Sequence, residues 1–419
     1  MRSDPITSIV QKNLCTGCGG CAGQFPDFIR MVDDPENGRR PVVAQTPEGH
    51  KAAKVALEGC AGAATDWSKL ALIDDIDRMW GPVLKTWEGW AQDTEIRHRG
   101  SSGGAVTGLA AYALDTGFAA GVAHIAARTE DPRLNEAVIS RDHAGLLRGA
   151  GSRYAQASPL EAIPEIKSGD APIVFIGKPC DVASLNKAMR HDAQLAANIS
   201  LTIAIFCAGA PNLNATEQLL DTLEVPKTAK VTDLRYRGNG WPGLMQARFQ
   251  TPDGTETDSK GIPYGEGWGR ILQAHRRWRC RVCADHTGAF ADISVGDPWH
   301  APPKGNTDAG RSLIVARTAR GQAFVEAAMQ GRALVAIARD RDVIARAQPN
   351  LVATGGAIWG RRVAMRALGL AAPQDTGLKL LPLWMTLPAK QKMQSVLGTW
   401  KRVLRDRLWR RVRIADRVQ

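Results

Sequence analysis

The sequence predicts a mixed α/β protein with a small cysteine-bearing module at its N-terminus, and three observations predict it. Short β-branched runs, APIVFIGKPCD at 171–181, LTIAIFCAG at 201–209, DISVGDPW at 292–299 and SLIVART at 312–318, are rich in apolar residues, as buried strands are, and most break off at Gly or Pro. Between and beside them, GGAVTGLAAYALDTG at 103–117 and GQAFVEAAMQ at 321–330 carry small and apolar residues at helical spacing. Strands alternating with helices imply a largely parallel sheet. Three of the eight cysteines crowd into residues 15–21, ahead of all of this.

Within residues 1–75, KNLCTGCGGCAGQFP sets Cys15, Cys18 and Cys21 three apart, and a PENGRRP turn precedes PVVA, a short strand. In a bacterial ferredoxin a fourth cysteine stands before the proline; here Phe25 precedes Pro26. The fourth ligand is therefore expected to be Cys60 in LEGCAGAA, with Phe25 filling the vacated place. Three thiolates at this spacing wrap one side of a 4Fe-4S cubane, with glycines turning backbone amides toward the sulfides, so the segment reads as a ferredoxin-like iron-sulfur module. Cys180, Cys207, Cys280 and Cys283 make a second group of four, the last two in WRCRVCAD, and leave no cysteine over. For this group a second 4Fe-4S cluster and a structural zinc are both open.

WGPVLKTWEGWAQ at 80–92 reads as a connector between the module and the α/β part. With 419 residues, 44% hydrophobic and 23% charged, the chain is long enough for two or three domains with sizeable cores. No apolar run approaches the roughly 20 residues of a membrane-spanning helix, and MRSDPITSIVQK lacks the apolar centre of a secretory signal, so the expected location is the cytoplasm. Thiols stay reduced there, which favours metal or redox ligation over disulfides. The net charge of +12 implies an acidic partner. Nucleic acid, an anionic membrane surface and an acidic electron carrier all fit it.

RHRGSSGGAVTGLAAYALDTG, GSRYAQASP, VFIGKPCDVASL, FCAG, RGNGWPG, CRVCADHTGAFADISVGDPW and GRSLIVART follow one another in an order that resembles the beta-subunit family of coenzyme F420 hydrogenases and dehydrogenases, from about residue 10 to 340. That family includes ferredoxin-fed flavin and iron-sulfur reductases, among them 7-hydroxymethyl chlorophyll a reductase and a divinyl chlorophyllide vinyl reductase, and subunits that exchange hydride with the deazaflavin F420. The resemblance implies FAD beside two 4Fe-4S clusters. It divides the chain into a flavin-binding region at 80–165, a catalytic and cluster-bearing region at 166–340 and a basic helical extension at 341–419. The expected function is an iron-sulfur flavoprotein passing electrons from reduced ferredoxin to a small organic substrate. The alternative is an F420-linked beta subunit of a larger hydrogenase or dehydrogenase. GGCAGQFPDF departs from the run in the chlorin-reducing members, so no chlorin substrate is assigned.

The flavin site is expected at Arg99, Ser101, Ser102, Gly103 and Gly104, where small residues let a pyrophosphate approach and the following helix aims its first amides at it; a capped Ser-Gly turn explains the same stretch. Arg153 and Tyr154 in GSRYAQ, and Lys178 beside Cys180, are either further flavin contacts or surface residues. The catalytic set is His98, Asn239, Trp241 and Asp297. Asp297 ends a strand, where α/β folds gather ligand groups. Asn239 and Trp241 either line a substrate face or belong to a Gly-rich hairpin, and His98 and His286 are conceivable proton donors. A different class of protein, zinc-stapled and binding nucleic acid, is disfavoured because the basic residues lie in one tail without a recognised nucleic-acid fold.

That tail, KRVLRDRLWRRVRIADRVQ, carries eight Lys or Arg against two Asp in nineteen residues. Trp400, Leu404, Leu408 and Val412 fall four apart, the pattern of one apolar helix stripe with arginines on the other faces. Such a helix lies on an anionic membrane, docks on ferredoxin, or packs on its own domain.

Overall fold

The computed structural model describes residues 3–71 and 79–414. Its centre is an eight-stranded sheet made of β1 (Lys85–Ala91), β2 (Gly121–Ala127), β3 (Asn135–Ser140), β4 (Ile173–Gly177), β5 (Ile199–Ile205), β6 (Ile293–Gly296), β7 (Ser312–Ala316) and β8 (Leu334–Arg339), in the spatial order β8-β1-β7-β6-β5-β4-β2-β3. All four runs taken from the sequence as strands are strands. The sheet is mixed, where a largely parallel one was expected. β2, β4, β5 and β6 run parallel, whereas β3 at one margin and β7, β1 and β8 at the other pair antiparallel.

One source of the difference is the segment expected to be a connector. Residues 85–91 form β1, clamped between β7 and β8, with Trp87 and Ala91 buried in the sheet's main core. A glutamate in its middle disguised it. Glu88 is 2% exposed, and His300 at 2.8 Å, Arg311 at 3.3 Å and Arg339 at 3.4 Å surround its carboxylate, which makes burial tolerable.

Strand residues alternate between two cores. Val122, Val174, Ile203 and Ile314 pack with helix α1 (Ala105–Asp115) and helix α3 (Ala319–Gln330) through Leu109, Phe324 and Val325. Their neighbours Ala123, Phe175 and Ala204 pack on the other side with helix α2 (Pro179–Met189) through Val182 and Leu185. Each large aliphatic side chain so buried contributes roughly 1.5–3 kcal/mol. A smaller sheet stands apart from this one: Leu244–Gln250 pairs with Lys230–Arg235, Glu256–Asp258 and Ile262–Pro263.

The N-terminal module packs the helices Pro5–Gln11 and Pro47–Glu58 on the antiparallel pair Ile29–Val32 and Arg40–Val43, with Ile6, Ile29, Val43 and Ala53 at its centre. Phe25 joins that core beside Cys21. Arg39 ties the module to the sheet domain by a two-pronged pair with Glu161 at 2.8 and 2.9 Å.

The C-terminal part is helical, with α4 (Pro349–Ala367) against α5 (Ala389–Arg405). The apolar stripe expected along the tail is not one helix face. Arg407 takes φ 49 and Leu408 N–H donates to Val403 O at 3.1 Å, a closure that ends α5 before Leu408. The packed face of α5 is Ser395, Thr399 and Val403, while Trp400 is 40% and Leu404 62% exposed. No helix among the described residues is long and apolar enough to cross a membrane.

One buried carboxylate fastens several elements. Asp292, just before β6, accepts from Thr202 N and Oγ1 in β5, both at 2.9 Å, from Thr318 Oγ1 at the start of α3 at 2.7 Å, and from Arg320 at 2.7 and 3.1 Å. Asp292→Ala orphans these donors and is expected to cost about 3 kcal/mol. A denaturant midpoint that falls with unchanged slope checks it.

Candidate functional site

Strands β4, β5 and β6 run parallel and finish side by side, and beyond their carboxyl ends lies a cavity of ≈ 250 Å³. Ile176, Gly177, Ile205, Val295 and Gly296 form its floor. Gly100, Ser101, Ser102 and Gly104 form one wall, followed by Val106 and Thr107 from the first turn of α1. Gly104, at φ 70, caps α1 and brings no side chain, so the first-turn amides of α1 have no side-chain acceptor from the cap. Ser101 Oγ meets Ser152 Oγ at 2.7 Å, and Ser102 Oγ meets Ser312 Oγ at 2.8 Å.

Only part of the expected flavin loop faces this space. Gly103 is turned toward the sheet. Its N–H donates to Ser312 Oγ at 3.0 Å, and a Cβ there would stand 2.6 Å from Gly89 O and 2.8 Å from Arg311 Cα. Close packing on β1 and β7, rather than approach of a ligand, requires glycine at that position. Arg99 is exposed and pairs with Glu95 at 3.3 Å, and His98 is exposed as well; neither lines the cavity. Arg153 lines it, but its guanidinium donates to Asn135 Oδ1, Pro132 O and, at 3.0 Å, Leu234 O. The arginine therefore braces the wall.

At the other end the cavity is aromatic. Tyr154, Tyr264, Trp268 and Trp299 line it, with Tyr264 and Trp299 stacked at 5.4 Å and 13°. Burial pushes the Tyr264 phenol well above its ordinary range, so it keeps its proton at neutral pH. Among these aromatics Asp297 accepts from Arg237 at 2.8 and 2.9 Å and from Trp241 Nε1 at 3.2 Å. Arg237, 2% exposed and 4.8 Å from the Tyr264 ring centre, was not picked out from the sequence. Of the expected catalytic set only Asp297 reaches the cavity. Trp241 lies behind Trp299 at 5.5 Å, and Asn239 is exposed at a turn that its φ of 56 helps to make.

A second, smaller cavity is lined by Cys180, Cys207, Cys280 and Cys283, all four members of the second cysteine group. β4 delivers Cys180 in the first turn of α2, β5 delivers Cys207 two residues past its end, and Ala210 N–H donates to Cys280 Sγ at 3.4 Å. Burial and the neighbouring Cys280 push the Cys207 thiol up to about 12. Lys178, Cys207, Gly209 and Ala210 line both cavities and form the wall between them. Lys178 itself is held by Asp181 at 2.6 Å. His286 lines the small cavity, and burial lowers its pKa to about 4, so at neutral pH it is an uncharged brace whose Nδ1 meets Cys207 O at 2.9 Å.

The first cysteine group is also assembled. Burial and then Cys18 and Cys15 push the Cys60 thiol up to about 11, and Cys21 feels Cys18, Cys15 and Cys60. Gly17 N–H donates to Cys15 Sγ at 3.4 Å and Gly20 N–H to Cys18 Sγ at 3.5 Å, an arrangement opened by Gly17 at φ 73 and Gly19 at φ 83. Among the described residues no three His, Cys, Asp or Glu side chains converge as a single metal ion would require. Thr16, inside this first loop, lines the second cavity, and its carbonyl accepts from the buried Arg277. Thr16 thus brings the first cysteine loop to the second cavity, which shares a wall with the larger one.

The models of the coenzyme F420 hydrogenase/dehydrogenase beta subunit match this chain over residues 86–164 for the N-terminal part and 170–341 for the C-terminal part. The chain is 23% identical over 240 residues to coenzyme F420 hydrogenase subunit beta of Methanococcus voltae, covering 56% of this chain and 77% of that one. To the same subunit of Methanothermobacter thermautotrophicus it is 24% identical over 243 residues, covering 57% and 78%. Among solved structures, a chain of the F420-reducing NiFe hydrogenase complex of Methanosarcina barkeri superposes with a TM-score of 0.54 at 18% identity, covering 73% of this chain and 99% of that chain, a likeness of fold.

Because Gly103 abuts two strands, Gly103→Val is expected to destabilise the fold by about 2 kcal/mol through overpacking. Ser101→Val, facing the cavity, gives up only the hydroxyl contact with Ser152 and should cost about 1 kcal/mol or less. Thermal unfolding of the two variants checks the assignment of faces.

Proposed function

We propose, from the premise that this chain belongs to the coenzyme F420 hydrogenase/dehydrogenase beta-subunit family, that it is a flavin- and iron-sulfur-bearing oxidoreductase subunit exchanging a hydride with a small planar carrier of the coenzyme F420 kind. The observation that carries this reading is the shared wall. Lys178, Cys207, Gly209 and Ala210 separate a large, mostly apolar cavity from one lined by four cysteines.

The residues present fit the groups. Ser101, Ser102, Gly104 and the first amides of α1 suit the pyrophosphate of FAD, and the positive end of the helix favours its charge. Cys15, Cys18, Cys21 and Cys60 suit one 4Fe-4S cluster, and Cys180, Cys207, Cys280 and Cys283 another, because buried thiols that raise one another's pKa are complementary to bound iron. When bound, FAD links hydride chemistry to the single-electron chemistry of the clusters. The aromatic wall offers Tyr264 and Trp299 as flat surfaces for a planar partner. Arg237, paired with Asp297, lies 4.8 Å from the Tyr264 ring centre and 5.6 Å from that of Trp299, and the protonated Tyr264 hydroxyl is hydrogen-bonded with Tyr154. Apolar Ile176, Leu146 and Val295 limit water.

A free-standing reductase fed by ferredoxin would use the same residues and differ in its electron donor and substrate. The curated relatives are F420 hydrogenase subunits, which supports the F420-linked reading.

Two measurements test the proposal. Anaerobically purified protein is expected to contain about eight iron and eight sulfide per chain. Cys60→Ser should hold about half of that and keep its flavin, so an unchanged iron content overturns the assignment of Cys60. Ser101→Trp, which fills the cavity, should lose flavin and keep iron. Chemically reduced wild-type protein should bleach coenzyme F420 absorbance under anaerobic conditions, and Ser101→Trp should not; equal bleaching by both overturns the site.

A further inference from the structure

We propose that the arginines beside the second cysteine cavity form a docking surface for a small acidic electron-carrier protein, an inference that rests on reading that cavity as an iron-sulfur site. The loop before the cysteine pair sends Arg277 and Arg279 inward, to the carbonyls of Thr16, Ala61 and Gly62. Arg276 and Arg281 lie half-buried on its outer side. The C-terminal helices add two more: Arg361 from α4 donates to Arg281 O at 2.7 Å, and Arg402 comes from α5.

Three of these guanidiniums bear on Arg361, while Arg276 also faces the thiols of Cys280 and Cys207. Burial, and then the charges of Arg402, Arg276 and Arg281, lower the pKa of Arg361 to about 10. Their hydrogen bonds go to carbonyls: Arg276 to Ala208 O at 2.7 Å, Arg281 to Ala274 O at 3.0 Å and Arg402 to Gly398 O at 3.1 Å. Among the described residues none of the four forms an ion pair with a carboxylate. Asp406 acts on Arg281 but is itself paired with Arg405 at 2.6 Å. Arg361 Nε is buried without a hydrogen-bond acceptor among the described residues. A fold that gathers like charges accepts a cost that an anionic surface would offset.

The patch adjoins the cavity. A Cβ at Gly209 would lie 2.7 Å from Arg276 Cδ and 3.2 Å from Cys280 Cβ, so arginine and cysteine flank the same glycine. A carrier seated on these arginines would stand next to the thiol-lined cavity, on the side supplied by the CxxC loop. Arg361 and Arg402 lie beyond residue 341, where the family match ends, so half of the surface belongs to the extension. Anionic phospholipid shares the charge but not the reason to sit beside a redox site, which makes an acidic protein the better occupant.

Binding of a purified acidic bacterial ferredoxin to the full-length protein, measured by calorimetry at low ionic strength, tests the proposal directly. Arg402→Glu is expected to weaken it by about tenfold or more, Arg402→Lys to stay within about twofold, and the difference to shrink at high salt. Reduced methyl viologen, a small cation, should reduce wild-type and Arg402→Glu protein equally. Unaltered ferredoxin affinity in Arg402→Glu overturns the proposal, as does binding to phosphatidylglycerol vesicles without binding to ferredoxin. A wild-type protein that viologen cannot bleach counts against the iron-sulfur reading, while the ferredoxin affinities still judge the surface.

Discussion

Everything at the site depends on three parallel strands ending together. Because β4, β5 and β6 run the same way, Gly177, Ile205 and Gly296 finish at one edge, and the chain leaving each strand must turn there. One turn carries Lys178 and Cys180 into α2, the next carries Cys207, and the third carries Asp297. An antiparallel arrangement would send one of these turns to the opposite end of the sheet. The adjacency of a large cavity to a thiol-lined one is therefore a consequence of strand direction, and the antiparallel strands are confined to the margins, where they do not disturb it.

Holding so many thiols inside a protein demands a particular electrostatic setting. Burial raises the pKa of Cys21, Cys60, Cys180, Cys207 and Cys283, and the neighbouring thiols raise it further. Cations stand ready around them: Lys178 beside Cys180, Arg279 beside Cys283, and Arg40 near Cys15 and Cys280. Carbonyl and amide groups do the fine positioning, as when Arg277 ties the first cysteine loop to the second cavity through Thr16 O. Of the outward arginines, Arg276 also faces the thiols of Cys280 and Cys207, whereas the charges around Arg361 are those of Arg402, Arg276 and Arg281.

Much of the frame was legible in the sequence. Runs such as IVFIG and LIVA are apolar at every position, as strands buried on both faces are, and they fall in β4 and β7. The division of eight cysteines into two fours was legible as well, because Cys60 is the sole further cysteine near the first three. Long-range pairing was less so. Arg237 and Asp297 are sixty positions apart, and nothing local in RYRGNG tells that its second arginine turns inward to that carboxylate. Gly103 and Gly104 look alike in a Ser-Gly run, yet one abuts β1 and β7 while the other opens the helix start, a difference made by tertiary contact alone. β1 stayed hidden because its buried glutamate is neutralised by residues more than 200 positions away.

The C-terminal extension illustrates how far periodicity carries. Spacing by four pointed to a helix from Trp400 to Val412, but α5 ends at Arg405, and its covered face proved to be Ser395, Thr399 and Val403. What decides this is the loop it covers. Trp278 and Val282 of the CxxC loop share a core with Met365 and Val403, and Arg361 and Arg362 bind the carbonyls of Arg281 and Val282. The extension is thus a buttress of the second cysteine site. A buttress that also contributes charge to the rim allows the choice of partner to change by substitution on α4 and α5 while the strands, cavities and cysteines stay as they are.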